Sequence, residues 1–562
     1  MTTTPVWFGA SDRPLFGMLH TPPDGRARAG VVLCSPLGLE ELYAYSTYRC
    51  LAEGLEANGF AALRFDYDGT GDSGGDQYDP GRVEAWLGSI EAAIELLRGC
   101  GLTFIAVVGM RMGATLAAAQ LARDPVDALV LWDPCPSGRA YLREHRALQA
   151  FSLETEGKTD GSVETPGFLY LAETVRELSP LNIAKTTGDL ASRVLLLTRP
   201  DRARSIPLDE RLGTGLHIQR DEAIGQFELL NVPTREGQVP EQMVDRIVAW
   251  LSETVDPVDR PVNAPPVRKA VVGYNDQRQA IVESAIRIGS AGLFGIMTEV
   301  EDGRVGPIVV CLNTSLERRI GPSRMWVDLA RQWARAGARV LRVEISGVGD
   351  SGVHPGQVPF VIHPPEALDD ISEIINAMSA AESADVVLVG LCSGAYHALE
   401  GGLVLPVRGI CAVNPLFTFT PPEMSSGDID PRRQTIGEMK PWVKRLPAWW
   451  RVHQALTRLP DSAWWPVNRF GLLHPPARTL RRLVDRDVEV LVIAGYFETQ
   501  KIKRGAGRAL RRLVQSGRFR FDTVDKLDHS LFEFTGRERV QTMLYEYVVD
   551  QFVAQNGTCQ AL

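Results

Sequence analysis

Short apolar runs alternate with amphipathic stretches along this chain of 562 residues. GVVLCSP (30–36) and PIVVCLN (307–313) are bounded by glycine or proline, a pattern typical of buried parallel strands. Each run is followed by apolar residues four positions apart, Leu51 with Leu55 and Leu329 with Trp333, which predicts a helix with one buried face. Strands that alternate with helices predict an α/β fold in which mostly parallel sheets are flanked by helices.

The same plan occurs twice in the sequence. LRFDYDGTGDSG (63–74) and LRVEISGVGDSG (341–352) are identical at seven of twelve positions, at an offset of 278 residues. VVGMRMGA (107–114) matches LVGLCSGA (388–395) at an offset of 281 residues. Matches in the same order and at nearly the same spacing indicate a tandem duplication.

A proline-rich segment, DPVDRPVNAPPVRK (256–269), separates the two copies. Its four prolines disfavour a helix and favour an extended linker. We therefore predict one α/β domain over residues 1–255, a linker over 256–268 and a second α/β domain over 269–556.

The motif GLCSG (390–394) in the second copy contains the first candidate catalytic residue. It lies between the predicted strand DVVLV and the predicted helix AYHALEGGL, so Cys392 would occupy a sharp turn at the carboxyl edge of the sheet. The flanking glycines are expected because a Cβ there would clash with the neighbouring strand and helix. The thiolate is the reactive form of cysteine, and a helix N-terminus favours it. Cys392 is the candidate nucleophile, and a small cysteine buried in a tight turn is the alternative.

Three segments resemble the bacterial α/β-hydrolase superfamily: residues 318–352, the GLCSGA motif and DHSLF (528–532). The resemblance covers nearly all of residues 270–552. The resemblance implies a nucleophile, an acid and a base in that chain order. The family usually carries serine at the nucleophile position, and cysteine is found in dienelactone hydrolases and some thioesterase-like acyl-transfer enzymes.

The resemblance also indicates the base and the acid. His529 follows the predicted strand RFRFDTV, where the superfamily's catalytic base lies. The acid is expected after the strand EVLVIAG (489–495), which favours Glu498, with Asp525 and Asp528 as competitors. Asp528 adjoins His529 and would more naturally cap the next helix.

An oxyanion hole requires N–H donors where negative charge develops. The resemblance implies one donor from Ser393, the residue after the nucleophile. The second is expected in the loop after VVCLN, at Thr314 or Ser315, and we assign it to Thr314. Both residues of that loop could instead be ordinary turn residues.

The first copy lacks the residues for this chemistry. Arg111 stands at the centre of GMRMG (109–113), and a guanidinium cannot attack a carbonyl. The region that matches the base position, 229–244, contains no histidine, and Asp201 would mark the former acid. A turn of this kind with arginine at its centre resembles the corresponding turn of hydrolase-like proteins found beside bacterial exopolysaccharide systems. We interpret this copy as a degenerate pseudo-enzyme, with Arg111 either in a buried ion pair or anchoring an anionic ligand.

A cap is expected in the second domain at about residues 416–487. It would form either a self-packed aromatic core or an apolar wall over the nucleophile that binds an acyl or polyketide-like chain. The candidate substrate-binding residues are Trp442, Trp449, Trp450, Trp464 and Trp465.

Composition excludes several other classes. The net charge of −9 and the absence of a basic run argue against a nucleic-acid binder. The eight cysteines are scattered and form no CxxC motif, and the sequence has neither a secretory signal nor a stretch of 18 apolar residues. We therefore predict a cytoplasmic protein that does not enter the membrane. No metal-ligand cluster, phosphate loop or dinucleotide fingerprint is present, so no metal or cofactor is expected.

These features predict acyl transfer from an ester or thioester through an acyl-cysteine, as in a thioesterase or esterase. One alternative is an acyltransferase or cyclase that passes the acyl group to an alcohol or amine, from a carrier protein in natural-product biosynthesis. A non-catalytic scaffold is the alternative from another class. Whether the protein forms a homo-oligomer is left open.

Overall fold

The computed structural model describes residues 2–152, 160–186, 188–200, 217–230, 238–256, 258, 260–264, 269–301, 303, 306–379, 385–415 and 476–554. The predicted cap tryptophans and Asp201 lie outside these residues. The chain divides into two compact units. The first contains Met1–Ala285, Ser323–Val327 and Phe532–Phe534, and the second contains Ile286–Pro322, Asp328–Leu531 and Thr535–Leu562. None of the described helices has the length and apolar character needed to cross a membrane.

Within the described residues, the first sheet has eight strands in the order β1-β2-β5-β4-β6-β7-β10-β11. The two strands at the β1 edge are antiparallel to their neighbours, and the rest of the sheet is parallel. Its strands are β1 Thr2–Phe8, β2 Leu15–Thr21, β4 Ala29–Cys34, β5 Phe60–Phe65, β6 Ile105–Met110, β7 Val126–Trp132, β10 Ala191–Thr198 and β11 His217–Glu222. Short pairs are formed by β3 Arg26–Ala27 with β12 Arg260–Pro261, and by β8 Val163–Thr165 with β9 Phe168–Tyr170.

Helices flank the first sheet because its strands are apolar on both faces. The adjacent residues Val31 and Val32 of β4 pack into two different hydrophobic cores, one on each side of the sheet. This is the pattern expected of a parallel strand covered on both faces. The helices of this unit are α1 Leu39–Ala57, α2 Arg82–Gly99, α3 Met112–Leu121, α4 Gly138–Ser152, α5 Ala172–Leu178, α6 Gln226–Leu230 and α7 Glu241–Thr254.

The second sheet has nine described strands in the order β13-β14-β15-β17-β16-β18-β19-β20-β21. From β17 to β21 the paired strands are parallel. The strands are β13 Lys269–Tyr274, β14 Ala280–Ile288, β15 Leu293–Val300, β16 Ile308–Leu312, β17 Arg339–Val343, β18 Val386–Leu391, β19 Gly409–Val413, β20 Glu489–Ala494 and β21 Phe519–Thr523. The helices are α8 Met325–Arg335, α9 Ala367–Ser379, α10 Ser393–Val404, α11 Pro476–Val484, α12 Tyr496–Gln515 and α13 Phe534–Val548.

The two sheets repeat one topology. The order β5-β4-β6-β7-β10-β11 in the first sheet corresponds, strand for strand, to β17-β16-β18-β19-β20-β21 in the second. The predicted fold class is therefore confirmed: the protein is α/β, with two large and mostly parallel sheets. Helix α11, which falls in the segment assigned to the cap, packs against α10 and α12 beside the second sheet.

Candidate active site

Cys392 lies in a strained turn between β18 and α10. Its backbone has φ 53° and ψ −111°, a conformation that residues other than glycine rarely adopt. A Cβ on Gly394 would lie 2.7 Å from the Asn313 carbonyl oxygen, and one on Gly390 would clash with the backbone of Gly394. The turn can therefore form only with glycine at both flanks, as in a nucleophile elbow.

Cys392, His529 and Glu498 form one chain of polar contacts. The Cys392 Sγ lies 3.1 Å from His529 Nε2, and His529 Nδ1 lies 3.1 Å from Glu498 Oε1. The three residues follow β18, β21 and β20, which all end at the same edge of the parallel sheet. Residues that are far apart in sequence are thus brought together by the parallel topology, in the arrangement of a nucleophile, a base and an orienting acid.

The electrostatics of this group favour a charged imidazole. Burial lowers the pKa of His529, but the hydrogen bonds and charges of Cys392 and Glu498 outweigh burial and raise that pKa from 6.5 to about 10. At neutral pH the ring can therefore hold a proton on each nitrogen, one facing Cys392 and the other facing Glu498. An imidazolium in this position can deliver a proton to a leaving group.

The competing carboxylates lie elsewhere. The Asp528 carboxylate accepts a hydrogen bond from the Ser530 N–H at 2.9 Å, which is a local turn contact, and Asp525 is exposed. The buried Glu498 is the one of these three carboxylates that contacts the His529 ring.

Asn414, which was not among the residues predicted from the sequence, connects the two loops that carry Glu498 and His529. Its Nδ2 donates to the carbonyl oxygens of Asp528 and His529, at 3.1 and 3.0 Å, and its Oδ1 accepts the Gly495 N–H at 2.9 Å. Asn414 is fully buried with φ 42°, a region that asparagine tolerates better than most residues. An asparagine at the end of a predicted strand, in the string AVNP, was the available signal.

The loop after β16 is tied to the elbow by two hydrogen bonds. The Thr314 hydroxyl donates to the Leu391 carbonyl at 3.3 Å, and the Ser315 N–H donates to the Ser393 hydroxyl at 2.7 Å. Because the Ser315 amide is occupied, the amides of Thr314 and Ser393 are the candidate oxyanion donors. The Ser393 side chain therefore has a second role, which the sequence did not indicate: it holds this loop against the elbow.

The corresponding turn of the first unit holds an ion-pair cluster. Arg111 has φ 54° and ψ −121°, nearly the backbone conformation of Cys392, so the elbow persists without a nucleophile. The buried Arg111 guanidinium contacts Glu40 at 2.9 Å, Asp133 at 3.4 Å and Glu144 at 2.6 Å. Three carboxylates around one guanidinium favour the ion-pair interpretation of Arg111 over an anchor for an anionic ligand.

Among the described residues, no group of three or more histidine, cysteine, aspartate or glutamate side chains is arranged to bind a metal ion. The described cysteines are free thiols.

Residues 311–540 match the model of the alpha/beta hydrolase family. No curated protein sequence is significantly similar to the chain. The chain also matches several solved structures over about half of its length. Est1E from Butyrivibrio proteoclasticus, solved with bound ferulic acid, has 16% identity and a TM-score of 0.34, covering 44% of this chain and 98% of that one.

Proline iminopeptidase from Mycobacterium smegmatis has 12% identity and a TM-score of 0.33, covering 45% of this chain and 98% of that one. Dienelactone hydrolase from Anabaena variabilis has 12% identity and a TM-score of 0.28, covering 48% of this chain and 99% of that one. Identities this low indicate nothing about a substrate.

Proposed function

We propose that the second half of this chain, which matches the alpha/beta hydrolase family, transfers acyl groups from an ester or thioester through an acyl-cysteine on Cys392. The observation that carries the proposal is the continuous contact from Cys392 Sγ through the His529 ring to Glu498, at 3.1 Å on each side. A buried structural cysteine would not require a histidine and a carboxylate aligned in this way.

In the first half of the reaction, the Cys392 thiolate attacks the carbonyl carbon of the substrate. The negative charge moves to the carbonyl oxygen, where the amides of Ser393 and Thr314 can donate hydrogen bonds. The bond to the leaving group then breaks, and the His529 imidazolium gives its Nε2 proton to the departing alcohol or thiol. The products of this half are an acyl-cysteine, a neutral imidazole and the free alcohol or thiol.

In the second half, the neutral His529 takes a proton from the acceptor. The acceptor oxygen or nitrogen attacks the acyl-cysteine, and cleavage of the carbon–sulfur bond returns the thiolate and the imidazolium. Water as the acceptor gives a thioesterase or esterase. An alcohol or amine as the acceptor gives an acyltransferase or cyclase.

The first half of the chain is proposed to be non-catalytic. Arg111 occupies its elbow and is held by carboxylates, so no nucleophile is available there. A reducing compartment such as the cytoplasm would keep the Cys392 thiol available for reaction.

The proposal is tested by intact-mass measurement after incubation with a series of acyl thioesters. We expect a mass increase equal to one acyl group, located on the peptide that contains Cys392 and absent in Cys392→Ala. The Cys411→Ala variant is the matched control, because Cys411 is fully buried in β19 and should not be acylated. Acylation that persists in Cys392→Ala would refute the proposal.

The acceptor is identified by partitioning. The same acyl thioester is supplied in water alone and then with candidate alcohols or amines. Rapid release of free acid that no acceptor changes identifies hydrolysis, and formation of a new ester or amide identifies transfer.

A further inference from the structure

The segment that surrounds the proposed catalytic acid is strongly basic within an acidic protein. Residues 476–520 contain twelve lysine and arginine residues and four acidic residues, a net charge of +8, whereas the whole chain carries −9. The basic residues occur singly or in adjacent pairs, and this segment contains no run of three or more of them. Helical spacing places them on common faces, and the feature becomes visible only when the helices are known.

Six of the described basic side chains are exposed on α11 and α12. On α11, Leu480 and Leu483 are buried, whereas the three arginines are exposed. On α12, Ile502 and Leu513 are buried, whereas Lys503, Arg511 and Arg512 are exposed. The two helices pack against each other. We call the exposed set the basic face: Arg478, Arg481, Arg482, Lys503, Arg511 and Arg512.

Within the part of the chain that the structure describes, the charges of the basic face are not neutralised by carboxylates. Neighbouring arginines are paired, since Arg518 contacts Asp487 at 2.9 Å and Arg520 contacts Asp522 at 2.7 Å. No residue of the basic face has a carboxylate within salt-bridge distance among the described residues. Unpaired exposed charge of one sign raises the local concentration of oppositely charged partners.

The first copy provides an internal comparison. Helix α5 precedes β10 as α11 precedes β20, and the two strands correspond in the sheets. Where α11 has three exposed arginines, α5 has Arg176 between Glu173 and Glu177. The basic surface of α11 is thus present in the copy that contains Cys392 and has no counterpart on α5.

The basic face is also close to the proposed chemistry. Glu498 is in the first turn of α12, and a helix rises 1.5 Å per residue. Lys503 and Arg512 therefore lie about 8 and 21 Å farther along the helix axis than Glu498. A partner bound along α12 would therefore reach the proposed catalytic acid at one end of the basic face.

We propose that the basic face binds an acidic carrier protein that presents the acyl thioester to Cys392. The charges extend along two helices, which fits an extended acidic surface better than a single phosphate. Five of the six residues are arginine, whose planar guanidinium pairs with carboxylates through two parallel hydrogen bonds. A negative net charge on the rest of the chain disfavours a longer polyanion such as a nucleic acid. This inference rests on the proposed function, because it names the carrier of that substrate.

The test compares one acyl group on two carriers: a purified acidic acyl carrier protein and the small thiol N-acetylcysteamine. The variants are Arg481→Glu with Arg482→Glu, and separately Arg511→Glu with Arg512→Glu. The matched control is Arg139→Glu with Arg146→Glu, a reversal of two exposed arginines on α4 of the first unit.

We expect each basic-face variant to raise KM for the carrier-borne thioester about tenfold or more, because electrostatic steering changes association rates by roughly 10 to 10³. Turnover of the small thioester should stay unchanged, as should both reactions of the control. Added salt should weaken the wild-type reaction with the carrier protein and have less effect in the variants.

Unchanged kinetics with the carrier protein in both variants would overturn the inference, and so would an equal loss with both substrates. Duplex DNA that binds the wild type but not the variants, while the carrier protein binds neither, would identify a nucleic-acid site and also overturn it. Failure of the proposed function has a different signature: neither thioester acylates Cys392 in the wild type. If the wild type is not acylated, fluorescence anisotropy of the labelled carrier protein still tests the basic face. The wild type and the control variant should bind the carrier protein, and the two basic-face variants should not.

Discussion

Replacing Glu498 by glutamine should shift the alkaline limit of acyl transfer to lower pH. Glutamine keeps the shape of the side chain but removes the negative charge that faces His529 Nδ1 at 3.1 Å. Because the pKa of His529 is raised to about 10, its imidazolium form persists below that pH and is lost as the pH rises through it. In the proposed mechanism, transfer from an alkyl ester needs this imidazolium to protonate the leaving alkoxide, so kcat/KM should fall with the same pKa.

The size of the shift follows from the contact. A hydrogen bond to a charged group stabilises by about 1.5–3 kcal/mol, and 1.36 kcal/mol corresponds to about one pKa unit, which gives roughly one to two units. The His529 side chain is 37% exposed, and water screens its interaction with Glu498. We therefore expect the lower value: the alkaline limb moves from near pH 10 to about pH 9.

The assay is kcat/KM for an alkyl ester between pH 6 and 11, with circular dichroism at each pH to show that the protein remains folded. Asp528→Asn is the matched control, because the Asp528 carboxylate bonds the Ser530 amide and should leave the alkaline limb in place. If Asp528→Asn shifted the limb and Glu498→Gln did not, the assignment of the acid would be wrong.

Three further predictions concern the elbow, its counterpart in the first unit and the loop connection. Cys392→Ala should lower acyl transfer by several orders of magnitude. Arg111→Ala should retain the chemical step but lose about 3–5 kcal/mol of unfolding free energy in urea, because three carboxylates lose their contact with the buried guanidinium. Equal loss of activity in these two folded variants would contradict the pseudo-enzyme interpretation. Asn414→Asp should lower kcat up to about 100-fold with little change in KM, because a carboxylate would face two carbonyl oxygens and displace His529. Asp133→Asn, at the matching strand end with φ 42°, should leave kcat unchanged, and an equal loss there would refute this role. Gly390→Ala should abolish acylation by intact mass and lower the melting temperature, since its Cβ would clash with the elbow backbone, and wild-type behaviour would contradict that geometry.

The sequence by itself determined the architecture and the identity of the main candidates. Apolar runs such as GVVLCSP predict strands buried on both faces, and the repeated motifs predict the second sheet, because both signals are local in the chain. Cys392 was identified for the same reason: the elbow is a five-residue pattern whose glycines are required by its own backbone. The resemblance then directed attention to His529 and Glu498, through chain order.

Only the tertiary structure decided the contacts between loops. Glu498 and Asp528 are both acidic residues near the expected position, and the fold brings Glu498 to the His529 ring because β20 and β21 are neighbours in the sheet. Asn414 carries no catalytic motif, and its role exists only because three loop segments converge on its amide. The basic face likewise depends on which sides of α11 and α12 the sheet buries. A local pattern fixes the conformation of neighbouring residues, whereas these contacts join residues that are dozens of positions apart, and the packing of the sheet sets their distances.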